Sequence, residues 1–328
     1  ALSIYYQMKK NYDKFEFIAC VQTERQFIPG SIIYQSSLIK GINVYSRSGT
    51  AGSNTFSVRK YSDTREMWKN RERYSKKLYD EISNSIKEKA VEIGGTNIEK
   101  RFKGIPEYDV FHDYFERQNL LKEKKYEKEE KITVTKKELC NKLGWNQNIP
   151  IVAILASDLT DGVFDNTWSL FRDRLTWLRE TLIEVKNINS VNWLVKAHPN
   201  DEKNKVVTDT ISEYKKICSN YKHILLYPDN VSIASIPKFA HVVITHSGSA
   251  SYEYPCMGIP VFQAAETVCS GRGFTIDPGS KKEYLDLLHK IEKISKLNKD
   301  QIDKAKIYAF IYTLLTRINV NLIAPYDN

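Results

Sequence analysis

The 328-residue sequence predicts an α/β protein whose C-terminal half is a doubly wound parallel sheet. Three observations lead there. From Pro150 onward, short apolar runs of strand length alternate with amphipathic stretches of about ten to fifteen residues, the rhythm of repeated βαβ units. Between residues 15 and 46 a strand-like run, a short helical stretch and a second strand-like run follow closely, and two parallel strands joined this way need a right-handed crossover. No apolar run approaches the roughly 20 residues that a membrane helix needs, the longest being IYAFIYTLL at 307–315.

Taken in order, the chain opens on ALSIYY, with neither an initiator Met nor a signal peptide. It enters close to its first strand, so it reads as a piece of a longer protein. FEFIACV (15–21) is a strand, GSIIYQSSLIKG (30–41) a helix bounded by glycine at both ends, and INVYS (42–46) a strand. GTAGSN (49–54) is a loop. A long charged helix is expected from about Asp63 to Ile93, because Met67, Tyr74, Leu78, Ile82 and Ile86 recur at helical spacing. Residues 122–139 are strongly charged and poor in core residues, and run into a short helix that ends at LGW (143–145). They are either an interdomain linker or a surface helix and loop within one domain; the new pattern that starts at Pro150 favours the linker.

The second half reads strand by strand. IVAILA (151–156) has the unbroken apolar character of a strand buried on both faces. Then come a helix in LFRDRLTWLRETLIEVKN, a strand in NWLVKA, a helix in VVTDTISEYKKICSN and a strand in HILLY. A short helix in SIASIPKFA leads to the strand HVVITH, a helix in SASYEYPCMG, the strand PVFQA and a helix in KKEYLDLLHKIEKI. The expected organisation is an N-terminal domain over 1–149 with a charged helical linker, a C-terminal domain over 150–300, and a final helix over 301–328 packing back toward the N-terminal domain.

Composition narrows the function classes. Five cysteines, Cys20, Cys140, Cys218, Cys256 and Cys269, are scattered and include no CxxC pair, which argues against a disulfide framework or zinc site and for a reducing compartment. The formal charge of +9 implies affinity for anions. Much of it lies in mixed Lys/Glu helices, so a solvated basic surface competes with an anionic nucleotide, an acidic glycan or an acidic membrane face. No basic motif interleaved with aromatics points to nucleic acid.

Ligands of open parallel sheets sit beyond the carboxyl ends of the strands. Three such loops carry chemistry: SDLTDGVFDN after IVAILA, HPN after NWLVKA, and HSGSASYE after HVVIT. In the last, Ser247, Gly248, Ser249 and Ser251 open a helix, where backbone N–H groups lack partners and favour anions; a plain serine cap is the competing reading. Pro199 removes a donor and holds His198 extended at the strand end, where its imidazole would meet a phosphate or simply be satisfied locally. Lys196 shares that face by strand alternation, and Glu253 lies one helical turn after Ser249, placed to accept from ribose hydroxyls or to face solvent. Gly271 and Arg272, in the glycine-rich CSGRGFTIDP, form either a sugar or phosphate contact or a plain turn. Together these residues predict a nucleotide monophosphate or diphosphate site.

NWLVKAHPN, HVVITHSGSASYEYPCMGIPVFQAAE and SGRGFTIDPGSKKEY together resemble the bacterial capsular polysaccharide glycosyltransferases, which include Kdo transferases that use CMP-Kdo; GSIIYQSSLIKGINVY and the DG…LFRDRLTWLRETL segment fit the same family. His-Pro with a downstream serine loop is also similar to bacterial sialyltransferases and CDP-glycerol glycerophosphotransferases. The resemblance implies the GT-B architecture, two Rossmann-type domains with parallel sheets facing across a cleft. The N-terminal domain, on the acceptor side, is shorter than the family pattern and so incomplete. It implies that His198 and the 247–251 loop hold the donor's phosphate. It implies no essential metal and no cofactor besides the nucleotide-sugar donor, and no DxD motif is found.

An inverting transfer from a CMP-linked acidic sugar to a glycan or glycolipid acceptor needs a carboxylate base; Asp161, Glu24 and Asp158 are the candidates. Such an enzyme would be cytoplasmic, with peripheral contact at the inner membrane, and would have no nucleic-acid partner. The same scaffold also serves UDP- or GDP-sugar hexosyltransferases, glycerophosphotransferases, UDP-sugar 2-epimerases and non-catalytic glycan-binding modules.

Overall fold

A computed structural model describes residues 1–22, 27–48, 55–61, 75–103, 131–159, 169–198, 209–316 and 318–319. In the N-terminal part, β1 (Cys20–Gln22) pairs in parallel with β2 (Val44–Ser48) across the helix Gly30–Ile39, so the expected βαβ unit is present. The antiparallel β3 (Thr55–Tyr61) and, from the far end of the chain, Ile318–Asn319 extend this sheet to four strands. Its small core is Tyr34, Leu38, Val44 and Tyr61, with the two tyrosine rings edge to face at 5.5 Å.

The sequence reading did not anticipate a helix at Leu2–Lys14, and the reason is physical: none of its residues is buried, so it carries no clean apolar stripe. Tyr12 ties it to the next helix by hydrogen bonds to the hydroxyls of Ser36 (3.0 Å) and Ser37 (2.9 Å).

The helix expected to end at Ile93 differs in a second way. Residues 63–74 lie outside the described residues; 75–81 are helical, Ser83 then caps a new helix by accepting from Ile86 N–H (3.4 Å), and this one runs Asn84–Phe102, straight through Gly94 and Gly95. The predicted loop at 49–54 and residues 122–130 of the charged tract are also outside the described residues. The short helix before the second sheet is Lys136–Leu143. Thr135 and Glu138 form a reciprocal capping box at its start, and Gly144 closes it in the left-handed conformation at φ +69°.

The second sheet has six strands: β4 (Ile151–Leu155), β5 (Asn192–Lys196), β6 (Ile224–Leu226), β7 (Ala240–Thr245), β8 (Val261–Gln263) and β9 (Thr275–Ile276). All pair in parallel. Their spatial order is β6-β5-β4-β7-β8-β9. Counted within this sheet, that is 3-2-1-4-5-6, the order of doubly wound nucleotide-binding sheets. Side-chain alternation explains why the strands read as continuous apolar runs. Val152, Ile154, Trp193, Val195, Val242 and Ile244 join one core cluster, while Ile151, Ala153, Leu194 and Val243 join the cluster on the other face. Each fully buried large apolar side chain contributes on the order of 1.5–3 kcal/mol, so the two-sided burial makes these strands the anchor of the fold. A strand as short as β9 had no periodicity to reveal it.

Arg174–Val185, Thr210–Cys218 and Lys281–Leu288 are the main helices, N-capped by Asp173, Asp209 and Ser280. The stretch read as one helix, 249–258, is a single α turn (Ala250–Glu253) followed by a 3₁₀ turn at Pro255–Met257; proline at 255 cannot supply the N–H that a continuing helix needs.

The C-terminal helix, Lys299–Phe310, crosses Asn84–Phe102 at close range. The crossing is made possible at Gly94, where a Cβ would stand 2.2 Å from the carbonyl oxygen of Lys306. Ala309, Tyr308 and Ala305 of that helix share a core with Ile98, Tyr252 and Cys256.

Candidate functional site

The registers of β4, β5 and β7 bring three loops to one rim. Leu155 is paired with Lys196 on one side and with Thr245 on the other, so the three strands stop level with one another. The N–H of Ala156 donates to the carbonyl of Lys196 (3.0 Å), which keeps the first two exits together. This is the point where the chain's winding reverses, on either side of the sheet's first strand, and a crevice is expected there. A cleft of about 330 Å³ opens at that place.

Ser157, Asp158, Lys196, His198, Ser247, Gly248, Ser249 and Glu253 line the cleft, together with two arginines, Arg101 and Arg174. Lys196, His198 and the glycine-serine turn, fifty residues apart in sequence, therefore face one space. The hydroxyl of Ser157 is buried with no hydrogen-bond partner among the described residues, so the wall offers a polar atom to a ligand. Lys196 donates to the carbonyl of Ala197 (3.3 Å) and its amine stands 5.9 Å from the centre of the Tyr227 ring.

The turn after β7 is built on local rules. Gly248 has φ +117°, a conformation that disfavours any side chain although nothing lies within 4 Å of a Cβ there. Gly248→Ala is therefore expected to cost about 1–2 kcal/mol of local strain. The expected result is a weakened nucleotide affinity in titration calorimetry with the overall thermal transition little changed; an unchanged affinity would show that the turn's conformation does not matter to binding.

The carbonyl of Gly248 accepts from Ser251 N–H (3.1 Å) and from the Ser251 hydroxyl (2.7 Å). Ser251, expected among the ligand contacts, is fully buried and does not line the cleft; its hydroxyl braces the turn from behind. The N–H groups of Tyr252 and Glu253 return to the Ser249 carbonyl (both 3.1 Å). An anion at this turn would thus meet the N–H groups of Gly248 to Ala250 and the hydroxyls of Ser247 and Ser249, not a long helix dipole.

His246 supports the turn from within. It is buried among apolar residues, its Nε2 lies 3.0 Å from the Ser169 hydroxyl and its Nδ1 3.3 Å from the Ser247 hydroxyl, and its ring meets Trp177 edge to face at 5.6 Å. Burial, reinforced by the positive charge of Arg174, holds its pKa down at about 3. It is neutral at physiological pH and fixes Ser247 in place.

Two residues of the cleft wall are not marked out by the sequence patterns above. Arg174 is the first residue of its helix and donates from Nη1 to the carbonyl of Asp158 (2.8 Å). A cation in a helix's first turn opposes the dipole, and that anomaly was the available signal. Arg101 reaches over from the helix Asn84–Phe102 to form an ion pair with Glu253 (3.0 Å), both side chains being largely buried. Glu253 is thus engaged by an arginine at the cleft wall. Nothing local marks Arg101, since a basic residue in a helix's last turn is ordinary.

The remaining candidates divide. Asp158 is buried and lines the cleft; Asp161, Glu24 and Pro199 lie outside the described residues. Gly271 and Arg272 do not line the cleft. The N–H of Gly271 donates to Asp277 (2.9 Å), and the Arg272 guanidinium stacks over the Tyr308 ring at 5.7 Å. The glycine-rich segment, expected at the donor sugar, is a turn held by Asp277 that packs toward the C-terminal helix.

No protein-family model matches the chain, and no curated protein matches it. Among solved structures it is similar to the β-Kdo 2,7-transferase KpsC of Thermosulfurimonas dismutans, at 13% identity over 97% of this chain and 83% of that one, with a TM-score of 0.49. It is similar to a glycosyltransferase of Rickettsia africae at 14% identity, covering 95% of this chain and 76% of that one, with a TM-score of 0.38. The third is the UDP-GlcNAc 2-epimerase of Neisseria meningitidis, solved with UDP-GlcNAc bound, at 14% identity over 55% of this chain and with a TM-score of 0.37; the match spans 48% of that epimerase's length. The α/β class itself stands on the strand order and registers described above.

Proposed function

We propose that the chain is a GT-B glycosyltransferase acting in capsule or surface polysaccharide synthesis. It would move an acidic, Kdo-like sugar from a CMP donor to a glycan or glycolipid acceptor with inversion. The observation that carries this reading is the meeting of His198, Lys196 and the 247–249 turn at the crevice where the sheet's winding reverses. In the proposal, residues 150–300 form the donor domain, 1–149 the acceptor side, and the helix beyond 300 returns toward the latter.

The proposed chemistry is electrostatic at the donor and acid–base at the acceptor. His198, Lys196 and the N–H and hydroxyl groups of 247–249 hold the donor phosphate and stabilise the negative charge that grows on it as the glycosidic bond breaks. Arg174 adds positive potential in a half-enclosed space, where it is less screened than in water. A carboxylate on the loop after β4 removes the acceptor proton as the new bond forms on the opposite face of the sugar. Asp158 is at the cleft to do so, with Asp161 on the same loop and Glu24 as the other candidates. The donor is the only cofactor required in this scheme, and the enzyme would work in the cytoplasm beside the inner membrane.

Titration calorimetry with CMP tests the reading. Wild-type protein is expected to bind CMP, and to bind it better than UDP or GDP. A hydrogen bond to a charged phosphate contributes about 1.5–3 kcal/mol, so His198→Ala is expected to weaken CMP about ten- to a hundredfold. Binding of UDP in preference to CMP would favour a hexosyltransferase or 2-epimerase. Failure of every nucleotide to bind would overturn the proposal.

A further inference from the structure

A second cavity, of about 530 Å³, lies at the opposite rim of the six-stranded sheet, where β4 and β7 begin. Its wall carries Lys136, Lys238, Lys296 and His241, and its floor includes Phe239 and Met257; among the described residues no Asp or Glu lines it. Of the three lysines, Lys296 is the one whose amine is drawn into the protein. Burial of its amine, with the charge of Lys136 nearby, pulls its pKa down to about 8.

Lys296 is held in place by donating to the carbonyls of Ala240 (2.6 Å) and His241 (3.2 Å), which leaves its third proton uncommitted to any described residue. Nε2 of His241 is buried with no hydrogen-bond partner among the described residues. Glu138, whose charge interacts with Lys238, is committed to the Thr135 cap, accepting from its N–H (2.7 Å) and hydroxyl (2.8 Å). The lining thus gathers three lysines and an orphaned polar atom, with the Glu138 carboxylate near Lys238 but outside it.

We propose that this pocket binds the phosphate or diphosphate group of a small ligand, the anion meeting Lys136, Lys238 and Lys296 while an apolar part rests on Phe239 and Met257. Three cations call for a multiply charged anion, and the apolar floor for a ligand larger than the ion alone. The site is separate from the cleft at the carboxyl ends of the strands and does not depend on what that cleft binds. Two sources share the chemistry, a soluble phosphorylated metabolite and a phospholipid headgroup.

The test reads Lys296 directly. Its amine is acetylated with a succinimidyl ester at pH 8 in the full chain, and the early rate at that residue is followed by peptide mass spectrometry. Inorganic pyrophosphate represents the soluble source and phosphatidic-acid vesicles the headgroup. At a probe concentration ten times its Kd, protection is expected to slow acetylation about tenfold. The double variant Lys136→Gln/Lys238→Gln is expected to lose that protection. His198→Ala, altered only at the other cleft, is expected to keep it. Protection by pyrophosphate assigns a soluble ligand, and protection by vesicles alone assigns a headgroup. An unchanged rate with both probes, or equal protection of the double variant, would overturn the proposal.

Discussion

Replacing Gly94 by alanine is expected to destabilise the protein by about 1 kcal/mol or more, although alanine is the better helix former. The gain in helix propensity at an internal position is about 1 kcal/mol. Against it, the new Cβ would stand 2.2 Å from the Lys306 carbonyl oxygen, 3.1 Å from its carbon and 3.3 Å from the Phe310 nitrogen. All three are backbone atoms of the crossing helix, so the whole helix must retreat. Overpacking of this kind costs about 1–3 kcal/mol and occasionally more, so the steric term wins.

Gly95 gives the contrast: the atoms nearest its Cβ would be Cδ, Cε and Nζ of Lys306, at 3.2–3.4 Å. That flexible end can swing aside, and Gly95→Ala is expected to be neutral or to stabilise by up to about 1 kcal/mol. Chemical denaturation of the two variants beside the wild type decides it. If Gly94→Ala unfolds at the same denaturant concentration as Gly95→Ala, the close crossing is not what the two-glycine sequence serves.

Acidification is expected to destabilise the fold through His246. Folded, its pKa is about 3; unfolded, it returns to about 6.5. Below pH 6.5 the unfolded chain takes up a proton that the folded chain refuses, so this contribution is level above neutrality and is lost as pH falls toward 3. Between pH 7.5 and pH 5 the loss from this residue alone is about 2 kcal/mol. His246→Gln cannot take up that proton. Whatever its stability at neutral pH, its decline with acid should be shallower than that of the wild type by about this amount in denaturant titrations. Parallel declines would mean that His246 is protonated in the folded protein and does not serve as a neutral brace for Ser247.

Residues that act through periodicity were legible, and residues that act across the chain were not. IVAIL, NWLVK and HVVIT announce parallel strands because both of their faces are buried, and their registers follow from that burial. From those strands alone one could place His198 and Ser247 at one rim. Gly94–Gly95, by contrast, reads as a stop signal from local rules, yet the helix continues for two more turns, because a neighbour 200 residues away needs the space. Arg101 has no local mark at all, since its partner Glu253 lies beyond a long intervening stretch. The serine-rich segment misled in the opposite direction. Its hydroxyls look equivalent in sequence, but the turn at Gly248 sends Ser251 into the interior. Arg272 stands over a tyrosine ring, a contact that no local pattern announces.

The helix Lys299–Phe310 touches both the carrier of Arg101 and the turn that bears Glu253. It acts as a spacer bar, setting how far apart the two ends of that ion pair stand. Damage at Gly94, about two turns along the same helix from Arg101, should therefore be felt as a wider mouth at the cleft, and a titration of ligand would sense a defect that touches no lining residue.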